Sequence, residues 1–175
     1  MSTPPPLIVT LTLDEFSHNY FTALRNQYFP KHCNYLEAHL TLFHNLPADI
    51  FMIDNVLKQL SGRAILNMEI TGIKNIGNGV AYRVECDELL AVHKTMQQFF
   101  EQYLITNDRK KLWPHITVQN KVTHYKALQT TAILNDGFKS FTAQGTGFST
   151  WLYCKGPWQL QHHYPFTGNA LINGL

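Results

Sequence analysis

Two short segments, His39-Leu40-Thr41-Leu42 and His115-Ile116-Thr117-Val118, repeat one pattern of histidine, apolar residue, threonine, apolar residue. On a β-strand this alternation sends histidine and threonine to one face and the two apolar residues to the other. Each strand then shows an imidazole and a hydroxyl about 6.6 Å apart along the chain. Two such strands facing one cleft supply two proton-transfer groups and two hydroxyl donors, an inventory that suits cleavage of a phosphodiester without a metal. The chain holds nine histidines, so roughly one His-x-Thr is expected by chance, as for any short motif. The weight therefore rests on the flanking alternation in both copies, inside segments that read independently as strands.

At 175 residues, with 45% hydrophobic and 15% charged residues, the chain is long enough to bury a sizeable core and too apolar for a disordered segment. We expect a flexible lead-in over residues 1–6 and one bilobal domain over residues 7–175. The opening Met1-Ser2-Thr3-Pro4-Pro5-Pro6 lacks the charged start and long apolar run of a secretory signal, and no stretch reaches the ~18 apolar residues of a membrane span. A cytoplasmic protein without membrane partners is the expectation. Cys33, Cys86 and Cys154 are odd in number and lack Cys-x-x-Cys spacing, which predicts reduced thiols rather than a disulfide framework. The formal charge of +2 permits a phosphate-bearing ligand without implying a nucleic-acid coat.

The elements repeat as well. Leu7–Leu13 reads as a strand; Asp14 caps a helix carrying Phe16, Tyr20, Phe21, Leu24 and Tyr28 up to Pro30. The first His-x-Thr strand follows around Ala38–Phe43, then a helix with Ile50, Ile53, Val56, Leu57 and Leu60, and a strand over 64–73. The second half runs in the same order. Ala81–Glu85 is a strand, Asp87 caps a helix from Leu89 to Tyr103, the second His-x-Thr strand spans His115–Gln119, and Thr123 starts a helix that stops near Gly137. Strands over 148–154 and 158–166, turning at Lys155-Gly156-Pro157, complete the pattern. A duplicated unit related by an approximate two-fold predicts Leu40, Leu42, Ile116 and Val118 packed under helices, with His39, Thr41, His115 and Thr117 in the cleft.

On Glu37-Ala38-His39-Leu40-Thr41-Leu42-Phe43, Trp113-Pro114-His115-Ile116-Thr117-Val118 and the order of elements around them, the chain resembles the two-histidine (2H) phosphoesterase superfamily of 2′-5′ RNA ligase-like proteins and cyclic nucleotide phosphodiesterases. The resemblance implies an α+β fold: two pseudo-symmetric lobes, each an antiparallel sheet with outer helices, around a cleft holding both motif strands. It implies hydrolysis, or reversible ligation, of a 2′-linked or 2′,3′-cyclic phosphodiester on a nucleotide or RNA end. His39 and His115 would be the catalytic pair and Thr41 and Thr117 the phosphate-binding pair, with no metal or other cofactor. By analogy with the family His39 is assigned as base and His115 as acid, although a symmetric site allows the reverse. An unperturbed imidazole titrates near 6.5, so one ring neutral and one protonated at neutral pH would serve.

Tyr35, Trp113, Tyr153 and Trp158 lie near the predicted cleft strands and could stack a nucleobase, worth roughly 1–3 kcal/mol; core packing is the competing role. Arg83 is a candidate phosphate contact or the partner of an acidic neighbour. Arg109-Lys110-Lys111 reads as a solvated loop or as a phosphate attractor. On an unbroken strand His39 and His44 point to opposite faces, as do His162 and His163, which argues against a metal cluster. A non-catalytic module binding a nucleotide or RNA in the same cleft is the alternative function; a monomer is assumed.

Overall fold

A computed structural model describes residues 4–168; Met1–Thr3 of the expected lead-in, and residues 169–175 of the expected domain, lie outside the described residues. The elements are β1 (Leu7–Leu13), α1 (Glu15–Tyr28), β2 (Leu40–Leu46), α2 (Phe51–Leu60), β3 (Leu66–Asn75), β4 (Val80–Glu85), α3 (Asp87–Phe100), β5 (His115–Gln119), α4 (His124–Asn135), β6 (Phe141–Tyr153) and β7 (Trp158–Pro165), with 3-10 turns over Lys31–Cys33 and Glu101–Tyr103. Strand, helix, strand, helix, strand thus occurs twice before β7 is added.

All strand pairs are antiparallel, in the order β2-β1-β6-β3-β4-β5, with β7 on β6. Both motif strands therefore occupy the ends of the path. The sheet curls until these ends, β2 and β5, touch. β6 is the hinge line of this α+β fold. Its first part pairs with β3, its second with β1 and β7, and Gly145 is opposite both Leu13 and Leu66. A Cβ on Gly145 would stand 2.8 Å from Leu11 Cδ2, and one on Gly147 2.6 Å from Tyr164 O. The strand expected over 148–154 is longer, β6 beginning at Phe141, and both glycines within it are sites of close backbone approach.

The core lies between the sheet and its helices. Leu40, Leu42, Ile116 and Val118 are all at most 2% exposed, as the alternation predicts, beside Phe21 of α1, Leu57 of α2 and Met96 and Phe100 of α3. Burying each is worth roughly 1.5–3 kcal/mol. A one-residue slip would exchange these four for His39, Thr41, His115 and Thr117, so packing fixes the register that presents the motif.

Two helix readings are corrected. In α1 the buried line is Ser17-Phe21-Arg25, while Phe16 is 72% exposed: of the five apolar residues at helical spacing only Phe21 is fully buried, with Leu24 packed against the core. In α3 the cap is Cys86, with no side-chain cap bond, and Asp87 is the first helical residue, where its charge favours the helix N-terminus. That helix ends at Phe100, leaving Tyr103 in the 3-10 turn. Asp14 and Thr123 do cap α1 and α4, accepting from Ser17 N and Lys126 N. Cys33, Cys86 and Cys154 are free thiols.

Candidate active site

His39 stands one residue ahead of β2, and the loop before it is held by one face of α1. Ala38 N donates to Thr22 Oγ1 at 3.0 Å, and His18 Nε2 lies 3.2 Å from Glu37. Arg25 Nε donates to Leu36 O at 3.0 Å and Nη2 to Asn34 Oδ1 at 3.2 Å. The same guanidinium reaches across the closure of the sheet, Nη1 donating to Thr117 O at 2.9 Å. Arg25 is 4% exposed and lies 4.3 Å over the Phe29 ring. One buried fork therefore ties the first motif's approach loop to the second motif's strand. No local pattern marks Arg25 for this role, because its partners are distant in sequence.

The two histidines share one tether. His39 Nδ1 is 2.8 Å from Glu37 O, and His115 Nδ1 is 2.7 Å from Trp113 O, each the carbonyl two residues back. A carbonyl only accepts, so each Nδ1 carries the proton and each Nε2 is left free. Each ring also packs on a tryptophan: Trp158 at 4.7 Å from His39, Trp113 at 4.4 Å and nearly parallel to His115. Thr41 lies opposite Thr10 on β1, and Thr117 opposite Ala81 on β4; both are half-buried, like the two histidines.

Burial lowers both imidazoles. His39 is brought to about 4 by desolvation, with the positive charge of Arg25 next, the Glu37 carbonyl opposing, and the nearby His115 and His44 adding. His115 is lowered by desolvation, with the Trp113 carbonyl opposing and His44 adding. The expectation of one neutral and one protonated ring is corrected for the free protein: water exclusion favours both neutral.

This has a stability consequence. Between about pH 6.5 and about 4 the unfolded chain binds a proton at His39 that the folded chain does not, so stability falls as pH falls through that window and is unaffected above it. Buried His93, also lowered by desolvation, acts with the same sign. Urea unfolding at about pH 7.5 and about pH 5 is expected to differ by about 1–2 kcal/mol from His39, a difference that His39→Gln reduces; equal stability at both pH values would contradict the reading.

The other candidates divide. Tyr35 and Trp158 line a cavity of about 450 Å³ beside His39, whose floor carries Thr12, Ser149 and His163. Ser149 Oγ is 2.9 Å from Thr12 Oγ1 and 3.1 Å from His163 Nδ1; sequence reasoning missed this polar group, and only the β1–β6–β7 register assembles it. Trp113 lines a second cavity, of about 220 Å³, with Thr41 and His115. Tyr153 is cross-strand from Trp158 but lines neither of these cavities. Arg83 lies opposite His115 on β4 and is held 2.8 Å from Glu85, both about half exposed.

His44 is a correction. Val9 pairs with Phe43 but Thr10 with Thr41, so β2 carries a bulge at Leu42. One extra residue restores His44 to the face of Thr41, and it lines the smaller cavity with Thr41 and His115. His162 and His163 do diverge, lining different cavities. Among the described residues no three His, Cys, Asp or Glu side chains are grouped to hold a metal ion.

The antiparallel sheet curls so that the two His-x-Thr strands meet, each histidine tethered at Nδ1; His39 lines the cavity of about 450 Å³, His115 and Thr41 that of about 220 Å³, and Thr117 neither. Residues 13–156 match the model of the 2′-5′ RNA ligase superfamily, and the chain belongs to that family. Its fold is similar to TT0787 of Thermus thermophilus (16% identity, TM-score 0.64, covering 93% of this chain and 98% of that one). It is also similar to Escherichia coli LigT complexed with 3′-AMP (15%, 0.57, 94% and 99%), and to a protein solved as a phosphoesterase (18%, 0.58, 94% and 99%). No curated protein sequence matches the chain. Among the described residues no helix is long and apolar enough to cross a membrane.

Proposed function

We propose that the protein is a metal-independent phosphodiesterase acting on a 2′,3′-cyclic phosphate or a 2′-5′ linkage of a nucleotide or RNA end. The observation that carries this reading is the matched tether: two imidazoles at the touching end strands, each with Nδ1 committed to its own backbone and Nε2 free. A neutral ring of that tautomer accepts a proton at Nε2, and a protonated one donates it there. LigT structures carry 3′-AMP, ATP and NADP+, which is in keeping with a nucleotide in such a cleft.

For a 2′,3′-cyclic phosphate, His39 takes a proton from water as the water oxygen bonds to phosphorus, and the P–O3′ bond breaks. His115 gives its proton to the departing O3′, leaving a 2′-phosphate. Desolvation, with the positive charge of Arg25 next, keeps the His39 ring unprotonated in the free protein, the state from which a base must start. The phosphate's negative charge supplies what His115 needs to become protonated on binding. Thr41 and Thr117 hydroxyls donate to the non-bridging oxygens, where charge grows in the transition state. Tyr35 and Trp158 offer the base a stacking surface beside His39.

Thr41→Val and Thr117→Val keep shape and remove the donor. Each is expected to lower kcat on 2′,3′-cyclic AMP by about 10–10³-fold with little change in KM. Wild-type turnover on a panel of 2′,3′-cyclic nucleotides and 2′-5′ dinucleotides tests the reading; tight binding of these compounds without turnover would favour the non-catalytic module instead.

A further inference from the structure

Thr41 and His115 themselves line the cavity of about 220 Å³, whose other polar walls include the buried Asp108 and the side chains of His44, Asn107, Lys110 and Lys111. The proposed reaction uses none of these last five residues.

The cavity is built rather than incidental. Asp108 is 3% exposed, and its carboxylate accepts from His44 N at 2.9 Å, Asn45 N at 3.1 Å and His44 Nδ1 at 2.9 Å. The β2 bulge and the segment before β5 are thereby fastened together, and the His44 ring is fixed with Nε2 free. The basic segment is pinned from behind. Gln97 Nε2 donates to Asp108 O at 2.8 Å and Lys110 O at 2.9 Å, while Arg109 turns away to donate to Leu104 O and Glu101 O. Of Arg109-Lys110-Lys111, only the two lysines face the cavity.

Charge decides what fits. Both oxygens of Asp108 are engaged by the three donors, so its negative charge is spent on the segment and on His44. Lys110 and Lys111 face the cavity as cations, and Asn107 adds an amide. A phosphate at His44 Nε2 requires the imidazolium, and the Asp108 carboxylate at Nδ1 compensates that charge. A cationic group would meet the like charge of Lys110 and Lys111 there.

We propose that this cavity is a second anion subsite, taking a phosphate of the substrate other than the one cleaved between His39 and His115. The inference rests on the proposed function for where the reacting phosphate sits. A second phosphate has two sources, a terminal 5′-phosphate on the same nucleotide or the diester joining the next nucleotide. The substrate class is in either case one with at least two phosphates.

Equilibrium binding by calorimetry, which needs no turnover, tests this with adenosine 2′-phosphate, adenosine 2′,5′-bisphosphate and an ApA dinucleotide bearing a terminal 2′-phosphate. In the wild type at least one two-phosphate ligand is expected to bind about tenfold tighter than the monophosphate, ~1.4 kcal/mol. The ligand that gains identifies the source. The affinity ratio is expected to fall below about threefold, ~0.65 kcal/mol, in Lys110→Ala/Lys111→Ala and in His44→Gln. Lys110 and Lys111 are exposed, whereas His44→Gln removes a donor to buried Asp108, so an unchanged urea midpoint is required of that variant before its affinity ratio is read. Equal wild-type affinities, or a ratio preserved in both variants, would overturn the subsite. A protein that prefers a two-phosphate ligand yet turns over no cyclic or 2′-5′ substrate keeps the subsite and loses the catalytic reading.

Discussion

His39→Ala and His115→Ala are each expected to lower kcat on 2′,3′-cyclic AMP by about 10²–10⁴-fold, the range a positioned acid or base contributes. The double variant is expected to be little worse than either single one, because the rings act as one unit and their losses do not add. The tether sharpens this. With Nδ1 held by Glu37 O or Trp113 O, proton traffic is confined to Nε2, so His→Gln, which cannot transfer a proton, should fail as alanine does. Losses that add fully on a logarithmic scale would place the histidines in separate roles outside one concerted step.

Arg25→Met is expected to produce the largest loss of stability among the replacements considered, about 2–5 kcal/mol. The variant strands the carbonyls of Leu36 and Thr117, and each unpaired buried acceptor costs about 1–3 kcal/mol. It also removes the cation that helps lower His39. In the folded variant the acid limb of the kcat/KM profile should therefore move to higher pH. Arg25→Lys retains the charge but not the fork, and should restore the pH profile more fully than the stability. An unchanged urea midpoint would show that the bridge between the α1-held loop and β5 carries no energy. An unmoved acid limb would remove Arg25 from the electrostatics of His39.

What was legible in the sequence was local. Alternation placed Leu40, Leu42, Ile116 and Val118 in the core and the motif residues opposite them, because strand period needs only neighbours. The duplicated order of elements gave the setting. What was illegible needed partners distant in sequence. The bulge at Leu42 moved His44 onto the motif face, and no alternation pattern announces one extra residue. Arg25 sits on a helix whose apolar residues suggested a different buried face; Phe16 is exposed because the sheet curls under Phe21 and Arg25 instead. The start of β6 at Phe141 was also illegible, because Gly145 is where the strand passes from β3 to β1, two partners distant in sequence. Trp113 and Trp158, considered as base-stacking surfaces, pack first on the motif histidines and so take part in the desolvation that keeps those rings neutral.

The central claim is that the His39–His115 pair opens a cyclic phosphodiester with water. Incubating the protein with adenosine 2′,3′-cyclic phosphate in ¹⁸O-water and reading the product by ³¹P NMR tests it most directly. The expected product is adenosine 2′-phosphate carrying one ¹⁸O on phosphorus, formed in the presence of a chelator and lost in His39→Ala and His115→Ala. Persistence of the cyclic phosphate, or product formation indifferent to either histidine, would contradict it.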